Sequence, residues 1–167
     1  MKTYKLADGN THDRLHSIVN KHHPQLKRVS FDVLEVRSDS GNALTANGYG
    51  CIACVRIVPL KDRACGRSDV EIVLDADKFG CANERAKSAI LDHELTHLEP
   101  MLDKDGRPRK DSLTRPRLQL KRHDWQFGWF NAVAKRWGTD SIEVQQAIEC
   151  QQSSHQLFFP LFESKAA

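Results

Sequence analysis

No run of about 20 apolar residues occurs in this chain, which excludes a membrane-spanning helix. The opening Met1-Lys-Thr-Tyr-Lys-Leu-Ala-Asp-Gly-Asn10 lacks the apolar core of a secretory signal, so a cytoplasmic location and no membrane partner are expected. The cysteine count is odd. Cys51, Cys54, Cys65, Cys81 and Cys150 cannot all pair, and in an unsecreted chain that argues against a disulfide framework. No internal repeat or low-complexity tract is apparent. A large charge imbalance is missing too: the formal net charge of +3 is too mild to announce a nucleic-acid binder by itself.

What is present suits one globular domain spanning residues 1–167, with 40% hydrophobic and 28% charged residues. Leu15, Ile18 and Val19 recur at helical spacing within Thr11–Lys21. Val29–Arg37 and Cys51–Val58 read as strands, the second stopped by Pro59. Asp69–Asp75 alternates cleanly, with Val70, Ile72 and Leu74 on one face. The period then changes. Asn83 is a candidate N-cap, Ala86, Ile90, Leu91, Leu95 and Leu98 form a helical stripe, and Pro100 closes the segment. After a Pro-, Gly- and Arg-rich stretch, in which Arg117–Lys121 alternates like a strand, a helix is expected from His123 to Trp137. Gly138 ends it, and a third helix capped by Thr139 or Asp140 runs to about Gln152. The apolar tail within 157–167 is expected to dock on the core. These elements predict an α+β fold: a small, mostly antiparallel sheet packed on two helices that carry the site.

The chemistry concentrates in Leu91-Asp-His-Glu-Leu-Thr-His-Leu98. Its His93-Glu94-x-x-His97 pattern arises by chance about 0.02 times in a chain with this His and Glu content. Histidines at i and i+4 share one helix face, so both imidazoles reach one ion, and Glu94 projects beside it. Three protein ligands with one open position are the usual catalytic arrangement for zinc. For the third ligand, Asp103 stands at the metzincin spacing, but Pro100 falls where that turn needs a glycine. Glu99 points off the ligand face. His123, opening the second helix, is the favoured ligand, with Asp124 as fallback or as a partner that orients a ligand imidazole.

Asp92-His-Glu-Leu-Thr-His-Leu98 followed by His123-Asp-Trp-Gln-Phe127 resembles the putative phage metallopeptidase family, and more distantly the SprT-like zinc proteases. The resemblance covers roughly Val70–Gly138. It implies a zincin-like fold and one Zn2+ held by His93, His97 and His123. It further implies Glu94 as catalytic base, and a phage or prophage origin in a bacterial host. Gln126 departs from the pattern, since these families often carry Glu there. The implied reaction is hydrolysis of a protein or peptide substrate by metal-activated water. A strand before the metal helix, Asp69–Asp75 or a neighbouring edge strand, would then pair with an extended peptide. Tyr49, His155 and the arginines of 107–122 are open candidates for an oxyanion stabiliser.

Other features have plainer readings. Cys51 and Cys54 fall within a strand and point to opposite faces, so a second zinc on them is disfavoured and buried thiols are expected. Trp125, Phe127, Trp129, Phe130 and Trp137 read as core, and His22-His23 as a surface pair. Residues 104–122 carry eight Lys/Arg against two Asp. That stretch is either a solvated loop or a phosphate-contacting surface, through Arg107, Arg109, Lys110, Arg115, Arg117, Lys121 and Arg122. The second possibility supplies an alternative function: a non-catalytic, metal-stabilised module that binds nucleic acid or a host protein.

Overall fold

The computed structural model describes residues 1–46, 48–123 and 130–153. In chain order these form β1 (Lys2–Leu6), α1 (Gly9–His22), a 3-10 turn (Pro24–Leu26), β2 (Phe31–Ser38), β3 (Leu44–Ala46), β4 (Tyr49–Cys51), β5 (Ala53–Ile57) and α2 (Leu60–Ala64). There follow β6 (Val70–Asp75), α3 (Ala76–Cys81), α4 (Glu84–Thr96), β7 (Leu98–Pro100), β8 (Leu118–Leu120), α5 (Asn131–Trp137), a 3-10 turn (Gly138–Asp140) and α6 (Ile142–Ser153). The fold is mixed α+β. None of the described helices is long and apolar enough to cross a membrane.

A four-stranded sheet of order β1-β2-β6-β5 forms the centre. Its outer pairs are antiparallel as expected, but β2 and β6 run parallel, Phe31 opposite Val70 through Val36 opposite Asp75. The crossover that a parallel pair requires is the excursion through β3, β4, β5 and α2, whose return direction no local pattern encodes. The strand that alternates in the sequence is β6. It lies inside the sheet with all six residues buried, so it offers no free edge to a peptide. The edges of this sheet are β1 and β5.

Val33, Val70, Ile72 and Leu74 share the main core with Leu15, Ile18 and Val19 of α1 and Ile90, Leu91 and Leu95 of α4. On the other face Val36 and Val73 pack on Ala43 and Leu44 beside the β3–β4 hairpin. Helices α1 and α4 both start on side-chain caps. Asp8 accepts the Thr11 N–H at 2.8 Å, and Asn83 accepts the Ala86 N–H at 2.8 Å. Helix α4 ends at Thr96, earlier than Pro100 alone requires, because the chain from Leu98 to Pro100 pairs as β7 with β8. Leu98 is almost fully buried and draws the chain out of the helix and into the core.

The basic stretch is largely exposed, and backbone hydrogen bonds order it. Three passes of chain close a ring of backbone hydrogen bonds: Met101 N–H to the Arg117 carbonyl, Arg117 N–H to that of Arg109, and Arg109 N–H to that of Met101, each 2.8 Å. Two turns with the same pattern, Asp-x-x-x-Arg-Pro, join the passes at 103–108 and 111–116. Asp103 Oδ1 accepts the N–H groups of Asp105 and Arg107, and Asp111 Oδ1 those of Leu113 and Arg115. The fourth residue of each turn is left-handed, Gly106 at φ 76° and Thr114 at φ 61°. The sequence thus does hold a short internal repeat, but its period is far below those that mark repeat architectures. Asp111 also accepts from Arg63 Nη1 at 2.9 Å, and Arg115 Nε lies 3.3 Å from Asp69, so Arg115 is committed to the fold. Arg107, Arg109, Lys110, Arg117 and Arg122 are exposed.

The two turns make a matched pair for mutation. Asp103→Ala removes turn bonds at the surface and is expected to cost about 1 kcal/mol. Asp111→Ala also strips the nearly buried Arg63 of a partner and is expected to cost about 3 kcal/mol. Urea unfolding of both variants checks the order, and equal losses contradict the anchoring role of Asp111.

Candidate metal centre

Helix α4 presents His93 in its last turn and His97 as its C-cap, still at helical φ −68° and ψ −17°. The i, i+4 relation therefore survives to the final residue, and both imidazoles lie on one face. The third imidazole arrives along the chain that follows β8. Lys121 donates its N–H to the His97 carbonyl at 2.6 Å, and its own carbonyl accepts the His97 Nδ1–H at 2.8 Å. That pairing carries His123 alongside α4. His123 is itself non-helical, contrary to its expected place in a helix from 123 to 137. Residue 121 is pinned in a ladder with residue 97, and the next described helix, α5, begins at Asn131.

The candidate ligand atoms of His93, His97 and His123 all lie within 4.8 Å of one another. His93 Nε2 and His123 Nε2 are 3.2 Å apart. His93 is buried, His97 half-buried and His123 exposed, so the group is closed on one side and open on the other. Phe130, fully buried, packs its ring 4.9, 4.8 and 5.1 Å from the rings of His93, His97 and His123. Lys121 Nζ stands 5.3 Å from the centre of the Phe130 ring.

Hydrogen bonding sets the tautomers. A carbonyl oxygen only accepts, so His97 Nδ1 carries the proton and Nε2 keeps its lone pair. His93 Nδ1 meets the Glu143 carboxylate at 2.8 Å, which likewise places a proton on Nδ1. Burial lowers the His97 pKa to about 4, which keeps it neutral at pH 7. Burial also pulls His93 down, but the Glu143 carboxylate and nearby Glu94 outweigh it and leave His93 above its usual value. Convergent imidazole nitrogens, two of them with the second ring nitrogen tied back, are a donor set that fits a divalent metal ion.

Glu94 is buried beside this group, and burial pushes its carboxyl up to about 7. Neighbouring Asp92 behaves differently. It is fully buried, yet His23 Nε2 reaches it at 2.6 Å, Trp137 Nε1 at 2.7 Å and Arg136 Nη2 at 2.7 Å. Burial would raise its pKa; these donors override that and hold it low. His23 is therefore a buried partner of Asp92, not half of a surface pair. The bonds also lock α5 onto α4, which sets Phe130 against the imidazoles.

A cleft of about 560 Å3 opens onto the centre, with Cys51, Cys54 and Val55 on one wall and Lys121 and Arg122 on another. Cys51, Cys54, Cys65 and Cys81 are free thiols, and none joins a metal-binding cluster among the described residues. Cys51 and Cys54 are half-buried, whereas Cys65 and Cys81 are exposed. Asp103 is occupied in its turn, and Glu99 lies 3.5 Å from Gln119 in the β7–β8 ladder, so neither joins the histidines. Asp124, Trp125, Gln126, Phe127, Trp129, His155 and the 157–167 tail lie outside the described residues, as do the side chains of Tyr49 and Cys150. Sequence reasoning misses Glu143 and the part played by Phe130. Glu143 reads locally as an ordinary acidic residue in a first helical turn, and nothing in its neighbours marks it as inward-facing.

The family model described as Putative phage metallopeptidase matches residues 3–150. No curated protein and no solved structure matches the chain.

Divalent-metal binding tests the centre directly. His93→Ala, His97→Ala and His123→Ala are each expected to emerge from gel filtration without stoichiometric metal, while the parent retains one ion per chain. Retention of the ion by His123→Ala would remove residue 123 from the ligand set.

Proposed function

The chain belongs to the putative phage metallopeptidase family, and we propose that it is a zinc-dependent peptidase with a single zincin-like domain over residues 1–167. His93, His97 and His123 hold one zinc ion, and Glu94 is the general base. The observation that carries this reading is the convergence of three imidazoles within 4.8 Å, with a buried carboxylate next in sequence to the first of them. Zinc supplies Lewis-acid polarisation of a carbonyl oxygen and acidification of water.

The chain's own residues account for the rest. Glu94, with a pKa pushed up to about 7, accepts a proton from the attacking water and delivers it to the leaving amine. His97 stays neutral, so its nitrogen remains available as a ligand. Phe130 excludes water from the inner side of the imidazoles. The wall formed by β5 is a sheet edge, and an extended peptide laid along it would pair with backbone groups. The substrate is a protein or peptide, met in the cytoplasm of a phage-infected or prophage-bearing host.

A second reading rests on the exposed Arg107, Arg109, Lys110, Arg117 and Arg122. In it, the metal serves stability and the basic face binds nucleic acid or a host protein. Glu94→Gln separates the two. For a peptidase it is expected to keep its zinc and lose about 10²–10⁴-fold in kcat/KM, measured on a peptide library and by new protein N-termini in expressing cells. Full biological effect from this variant favours the binding module.

A further inference from the structure

We propose that Glu143 is a positioning residue of the metal centre: its buried carboxylate fixes the His93 imidazole and balances the charge of the bound cation. This rests on the zinc reading above. Glu143 sits in the first turn of α6, whose start is tied down by Ser141. The Ser141 Oγ accepts the Val144 N–H at 3.2 Å, and the Ser141 carbonyl accepts the Gln145 N–H at 3.0 Å. The carboxylate that this start aims inward has a side-chain exposure of 0%. Its Oε1 takes the His93 Nδ1–H at 2.8 Å, while its buried Oε2 has no hydrogen-bond partner among the described residues.

Comparison with Asp92 decides what this means. Asp92 and Glu143 are both buried where α4 meets its neighbours. Asp92 is satisfied by an arginine, an indole and an imidazole, which is how a purely structural buried charge is held. Glu143 has the His93 imidazole, whose other nitrogen faces the three-histidine centre. The α6 N-terminus offers only part of the missing positive charge. A cation at the centre supplies the remainder through His93, and the carboxylate in return makes the imidazole a stronger donor.

The charge argument predicts effects of opposite sign. Glu143→Gln keeps an acceptor for Nδ1–H but removes the negative charge. Zinc affinity, measured by chelator competition, is expected to fall about 10–100-fold, while the metal-free protein melts at or above the parent's temperature. Glu143→Asp keeps the charge but shortens the reach, and is expected to shift the visible absorption of the cobalt-substituted protein. Unchanged zinc affinity in Glu143→Gln overturns the role, as does a metal-free protein that loses as much stability as the zinc-loaded one. If Glu143→Gln does not fold, an unshifted cobalt spectrum in Glu143→Asp overturns it. A parent that binds neither zinc nor cobalt overturns the metal centre itself, and this role with it.

Discussion

Residue 97 is held twice by residue 121, once through its backbone carbonyl and once through its imidazole. Much of the site depends on that pair of hydrogen bonds. The first bond turns the end of α4 into the start of a strand ladder. The second fixes the proton on Nδ1 and leaves Nε2 free of it. Together they set the path of the chain two residues further on, at His123. Helix termination, tautomer choice and assembly of the histidine group are one event in this structure, with Leu98 buried beneath it.

The part of the site legible in the sequence is the part encoded by short-range geometry. Helical spacing of His93 and His97 fixes their common face, and Asn83 announces the start of the helix that carries them. Residue chemistry and family resemblance single out His123. Its setting is not legible, because the ladder that delivers it is made by residues 24 positions apart. The alternation of Val70, Ile72 and Leu74 marks a strand with a buried face. It does not reveal that the opposite face is covered too, or that β2 runs parallel beside it. The short elements β1, α2 and α3 are hidden for a related reason: five or six residues carry too little periodicity to stand out.

Buried carboxylates divide the labour around α4. Asp92 gathers donors from the segment after α1 and from α5, and in doing so converts three separate pieces of chain into a rigid support. Glu143 reaches the same helix from α6 and engages the imidazole of His93. Asp92 stabilises by being satisfied, whereas Glu143 keeps one buried oxygen without a partner among the described residues, a cost to the metal-free fold. The Phe130 ring packs on all three imidazoles because α5 is held where Asp92 puts it.

The ring formed by residues 101, 109 and 117 separates the histidine ladder from the turns beyond it. The ladder from His97:Lys121 to Met101:Arg117 is what delivers the third imidazole, and both turn-bearing arms hang outside it. Added length at an exposed tip such as Gly106 would extend an arm without touching the ladder, so the third imidazole is insulated from changes there.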